Sequence, residues 1–199
     1  EENIDKKANF AHSLARRFLD YGVVDSAASY ADKLQSWVDG PSELAADIYF
    51  IAYERSAGPE HAKEYALKAR EILQTLLDKD PGNLVVKNRL AMTLVVSENP
   101  MAGINMLREI LAVDETNRQA ILNLGLLAIQ SGQFDRARER FETLVSMNAA
   151  DHEAKLYLAV SLMEINQQSQ ARLLLEEILA TQDSIPAIKV MANDYLNSL

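Results

Sequence analysis

With 199 residues, 48% hydrophobic and 25% charged, and with only 7 glycines and 5 prolines, the chain has too much apolar mass for disorder and enough for one core or one short array of repeats. A formal charge of -9 repels phosphate backbones, and Arg136, Arg138 and Arg140 alternate around a helix instead of forming a stripe, so nucleic acid is not an expected partner. The absence of cysteine excludes disulfides, thiolate metal sites and a cysteine nucleophile, and no run approaches the roughly 20 apolar residues that span a bilayer.

The elements follow in chain order. Leu14-Ala15, Phe18, Gly22, Ala27, Ala31 and Leu34 fall at helical spacing and predict a first helix hairpin over about 4–39. A turn at Asp39-Gly40-Pro41-Ser42 leads into a second hairpin over 42–80, whose second helix starts early at Pro59 and gains about a turn. Asp80-Pro81-Gly82-Asn83 breaks the chain before a third hairpin over 83–114, in which Asn99-Pro100 supplies a cap and a first-turn proline. The fourth covers 117–148, turning at Ser131-Gly132-Gln133, and the fifth covers 151–182. After Asp183, the residues Ile185, Ile188, Met191, Tyr195 and Leu196 predict a capping helix over 185–198.

A period underlies these elements. Small residues recur every 34 positions at Ala69, Gly103, Ala137 and Ala171, and large apolar ones at Leu73, Leu107, Phe141 and Leu175 and at Leu76, Ile110, Leu144 and Ile178. Leu90-Ala91, Leu124-Gly125 and Leu158-Ala159 keep the same step. Two helices approach closely only where one lacks bulk, so each unit reads as a helix pair with small residues at the crossing and large ones beside it. Ala27 to Ala69 exceeds the period by about eight residues, which marks the 42–80 pair as the atypical one.

On these columns the sequence resembles the tetratricopeptide-repeat family, most closely over 118–151. There Ile121, Leu124-Gly125, Ala128, Gly132, Phe134, Ala137 and Phe141 follow its pattern, with the tryptophan and tyrosine replaced by smaller apolar residues. The family's turn proline is present at Pro81 and gives way to Glu115, Ala149 and Asp183. The resemblance implies an all-α, right-handed superhelical solenoid of about five hairpins forming a single array over 1–199, with the first helix of each pair lining a concave wall.

That wall assigns the candidate partner-binding residues. Val85, Asn88, Met92 and Val95 come from one helix, Gln119, Leu122, Leu126 and Ile129 from the next, and Glu153, Leu156, Val160 and Met163 from the third. Towards the N-terminus the stripe turns polar, with Asn9, His12 and Arg16 followed by Tyr49 and Tyr53. Family members that grip a terminal carboxylate use Lys and Asn on these helices. Only Asn88, Asn123, His12 and Arg16 match loosely, and Lys87 and Lys155 fall on the packing column, so that mode is disfavoured.

No catalytic, cofactor or metal motif is present: His12, His61 and His152 stand far apart, and paired acids such as Glu176-Glu177 point in different directions on a helix. The expectation is a non-enzymatic scaffold that binds a peptide or partner protein in the groove, with no cofactor or metal and no membrane insertion by this segment. The alternative is an assembly module that self-associates or bridges a larger complex, such as an envelope complex, through its ends or convex face. Homo-oligomerisation is compatible with both. A start at Glu1 instead of Met leaves room for a removed leader or anchor, so the cytoplasm and the periplasmic part of a membrane-anchored bacterial protein both fit. A competing expectation is that neighbouring hairpins consume the apolar stripe as core.

Overall fold

Local chemistry at the helix starts places seven of the elements. The structure, a computed structural model, describes residues 2–199, and the described residues form eleven α-helices. They are α1 (Glu2–Asp20), α2 (Val24–Ser36), α3 (Glu43–Arg55), α4 (Pro59–Lys79), α5 (Leu84–Val95), α6 (Pro100–Val113), α7 (Arg118–Gln130), α8 (Phe134–Met147), α9 (His152–Glu164), α10 (Gln168–Ala180) and α11 (Pro186–Ser198). The side chains of Ser42, Asn83, Asn117 and Asp151 accept from the backbone N–H groups of Ala45, Val86, Ala120 and Ala154, satisfying donors that a helix start leaves orphaned. Proline opens α4, α6 and α11, where its missing N–H costs nothing.

Turns inside the first, fourth and fifth hairpins take a left-handed residue. Gly132 has φ 71°, and one period later Asn166 takes φ 61°, asparagine being the residue with a side chain that best tolerates this region. Helix α4 has 21 residues where α2, α6, α8 and α10 have 13 or 14, so the additional length between Ala27 and Ala69 is spent on its early start and on the turn before Ser42.

The chain divides into two compact units, residues 2–110 and 111–199. In the first unit α1 packs on α2 and α3, α2 on α3, α3 on α4, and α4 on α5. Its core is built on Ala15, Leu19, Leu34, Ile48, Leu73 and Leu90. At the crossing of α5 with α6, a Cβ added to Gly103 would run into the Ala91 carbonyl oxygen, so only glycine allows that approach. In the second unit α7 packs on α8 and α9, α8 on α9, α9 on α10, and α11 on both α9 and α10. Phe141 is fully buried against Gly125, where an added Cβ would meet its ring at 2.6 Å. Burying that ring contributes about 2–3 kcal/mol.

The packing column keeps two lysines by pairing them across their own hairpins, Lys87 with Glu109 at 2.8 Å and Lys155 with Glu177 at 2.7 Å. Helix α11 buries Ile188 and Ala192 and half-buries Tyr195 and Leu196. Ile185 and Met191, expected on the same stripe, are exposed. Ile185 is the N-cap residue, outside the helical rotation, and Ala192 takes the inward place next to Met191.

Candidate functional site

Helix α3 carries an acid in a place built for hydrocarbon. Every residue from Ala45 to Phe50 is buried, and Asp47 lies in the middle of this run, between Ala46 and Ile48. A carboxylate so placed must be paired, because desolvating it alone costs several kcal/mol. Helices on both sides supply the pairing. His12 Nε2 on α1 lies 2.8 Å from Asp47 Oδ2, Arg16 Nη1 on α1 donates to the same oxygen at 3.0 Å, and Arg89 Nη2 on α5 donates to Oδ1 at 2.8 Å. An ionised carboxylate only accepts, so His12 Nε2 carries the proton of that bond.

Three successive first helices therefore meet on one carboxyl group. Burial alone would raise its pKa, but the hydrogen bond from His12, the charge of Arg89 and the hydrogen bond from Arg16 together bring it down to about 2. Two guanidinium groups face one carboxylate, which leaves a positive surplus even with His12 neutral. Each guanidinium has five N–H donors, of which the bonds to Asp47 use one apiece. Arg89 is further fixed by lying over the Phe50 ring, 5.7 Å from its centroid.

The other residues singled out in the sequence fall into distinct environments. Tyr49 does not join His12 and Arg16: it is buried towards α2 and α4, donates its hydroxyl to Asp32 at 2.5 Å, and has Lys68 over its ring. Burial, and then the bond to Asp32, push that hydroxyl well above the ordinary tyrosine range. Two positions along α3 turn the side chain through about 200°, which puts Tyr49 on the side away from Asp47. Tyr53 is half-buried with its hydroxyl 3.4 Å from the Met92 carbonyl. Asn88 is buried, Met92 packs half-buried on the first core, and Val95 lies against Gly103 of its own hairpin.

In the second unit Leu122 and Leu156 are buried in the core, and Asn123 is buried with its Oδ1 accepting from Gln119 at 3.3 Å. Leu126, Ile129 and Met163 are half-buried against that core, and Val160 is half-buried. Arg118, at the start of α7, clasps Asp151 at 2.7 and 2.9 Å and Glu153 at 2.7 Å, so Asp151 serves both as the cap of α9 and as an ion-pair partner. Its carboxyl stays below the ordinary range although burial opposes this, because Arg118 and the Ala154 amide favour the charged form.

Asp47 and Arg89 are absent from the stripes read in the sequence. The signal for Asp47 was available, since a lone acid inside Leu44-Ala45-Ala46-Asp47-Ile48-Tyr49-Phe50 demands cationic partners. The residues that answer it are 31 to 42 positions away, and no local pattern joins them. Among the described residues no three His, Asp or Glu side chains gather as metal ligands, and no helix is long and apolar enough to cross a membrane.

A family model described as tetratricopeptide repeat matches residues 128–193, from the end of α7 into α11. Residues 128–193 therefore carry the tetratricopeptide-repeat pattern. Solved structures with the same fold include the thermophilic TPR protein TTC0263 of Thermus thermophilus, at 15% identity over 96% of this chain and 99% of that one, with a TM-score of 0.68. YrrB, described as a TPR protein with an unusual peptide-binding site, is 17% identical over 95% of this chain and 91% of its own, with a TM-score of 0.55. TPR-like repeats of a kinesin light chain from Podosopora anserina align at 17% identity over 96% of this chain and 97% of theirs, with a TM-score of 0.59. No curated protein matches this chain in sequence.

Proposed function

We propose that the protein is a non-catalytic scaffold that binds a peptide or a partner protein along the face of its first helices, the concave groove of the sequence reading. The observation that carries this is the Asp47 cluster, in which α1, α3 and α5 bring Arg16 and Arg89 together with donors to spare. An acidic side chain of the ligand complements that surplus through charge-assisted hydrogen bonds. The half-buried stripe of Leu126, Ile129, Val160 and Met163 offers apolar burial to the same kind of ligand. The peptide-binding site named for YrrB supports the reading by analogy of fold.

The test selects ligands from a random peptide library displayed on phage and measures their affinity by fluorescence anisotropy. Selected peptides are expected to be acidic, and Arg16→Glu together with Arg89→Glu should weaken them by about tenfold or more, a change of about 1.4 kcal/mol. Leu126→Lys and Val160→Lys should lower affinity while the melting temperature holds. If stability falls with affinity in these two, the apolar stripe belongs to the core and the site contracts to the Asp47 cluster. A library that yields no binder, or binders indifferent to all four changes, defeats the proposal.

A further inference from the structure

The 34-residue period gives each first helix a column that reaches towards the next first helix. His12 belongs to it when Leu14-Ala15 is aligned on Leu90-Ala91, and its ring meets Asp47 on α3. In the second unit its members are Leu122 on α7 and Leu156 on α9, both buried, with α7 packing on α9 and α9 on α11. The next member is Val190 on α11, which is 61% exposed.

A second column faces the opposite way. On α11 it holds Ile188, buried where that helix packs on α9 and α10, and one and two periods earlier it holds Ala154 and Ala120, also buried. On α1 the same alignment puts Phe10 in this column, and Phe10 is 71% exposed. Single exposed apolar residues are ordinary on a protein surface. Here each is a large apolar side chain at a position that interior copies of one stacking contact bury. Charge agrees with shape: Arg17 follows Phe10 by two turns of α1, and Asp194 follows Val190 by one turn of α11.

We propose that copies of this chain associate head to tail, with α11 of one copy stacking on α1 of the next and continuing the intramolecular contact between first helices. The surfaces are different on the two sides, so the contact is heterologous, the tail of one copy meeting the head of another. One helix on one helix buries well under the roughly 1,600 Å² of a standard interface, so the assembly is concentration-dependent. This inference goes beyond the groove reading. Its experiment reads molecular mass, not peptide affinity, so the two fail separately.

Sedimentation velocity of the full chain over increasing concentration should show mass rising past the monomer. Phe10→Glu, which spoils the head, and Val190→Glu, which spoils the tail, should each be monomeric at concentrations where the parent chain assembles. An equimolar mixture of the two variants retains one intact head and one intact tail, and should stop at the dimer. Circular dichroism melting confirms folding, with Phe10→Ser and Val190→Ser as replacements should either glutamate variant melt early. A parent chain that stays monomeric to its solubility limit, a Phe10 variant that still dimerises alone, or a mixture that stays monomeric overturns the proposal.

Discussion

Replacing Asp47 with asparagine keeps its shape and removes its charge, leaving Arg16, Arg89 and His12 around a neutral group. Holding that carboxyl at about pKa 2 instead of 3.8 corresponds to about 2 kcal/mol in favour of the ionised fold. Breaking a fully buried pair costs about 3–5 kcal/mol, but the side chains of Arg16 and Arg89 are 51% and 34% exposed and can turn to water, which keeps the expected loss near the lower figure. The sign in pH follows from a depressed pKa: the contribution is complete above about pH 4 and disappears as the pH falls towards 2. Trp37, the single tryptophan, packs on the core of the first unit, so its fluorescence in a urea titration reports the unfolding of the unit that holds Asp47. Asp47→Asn should lower stability by about 2 kcal/mol at pH 7, and by progressively less from about pH 4 to about pH 2. A difference that is constant across this range, or absent at pH 7, would refute the electrostatic account of the cluster.

Other outcomes follow from packing. Gly125→Leu drives a side chain into the Phe141 ring and should destabilise the second unit by about 1–3 kcal/mol or more in chemical denaturation, with Ala137→Leu behaving alike; two unchanged midpoints would show that the crossing is misplaced. Ending the chain after Asp183 uncovers the side of Leu175 and Ile178 that α11 protects, and light scattering should detect association or lost solubility; a stable monomer would deny α11 a covering role. Arg118→Ala removes the clasp on Asp151 and Glu153 and should lower stability by about 1 kcal/mol or more at low salt and by less in about 1 M salt; equal losses at both would show that charge is not what the clasp contributes.

The helical architecture was legible because small residues such as Gly103 and Ala137 can recur every 34 positions for one reason, the close approach of two helices. Pro59 and Pro100 were legible as helix starts because a missing N–H is harmless only there. The polar site was half legible. His12 and Arg16 stood out as a break in an apolar stripe, but Asp47 reads as an ordinary acid until helices α1 and α5 are laid on either side of it. Tyr49 and Tyr53 lie one turn apart on α3, but the hydroxyl of Tyr49 donates to Asp32 and that of Tyr53 to the Met92 carbonyl, a difference that spacing does not show. The apolar stripe could not be divided into core and surface from spacing alone, since Leu122 and Leu126 lie one helical turn apart and differ only in how far the next helix covers them.

The double duty of Asp151 gives α7 and α9 a kind of coupling that the hydrocarbon contacts of the second unit lack. In a repeat array, stability is close to a sum of intrinsic terms for each unit and nearest-neighbour terms between units. Most of the nearest-neighbour terms here come from hydrocarbon and vary little with solution conditions. The α7–α9 term includes an ion pair to a residue that also nucleates α9, so unfolding the first turn of α9 strips Arg118 of its partner, and losing Arg118 loosens the start of α9. Raising salt or lowering pH should thus weaken cooperativity between α7 and α9 before it loosens the hydrocarbon contacts within the second unit, making this the junction where that unit first splits into independently unfolding segments.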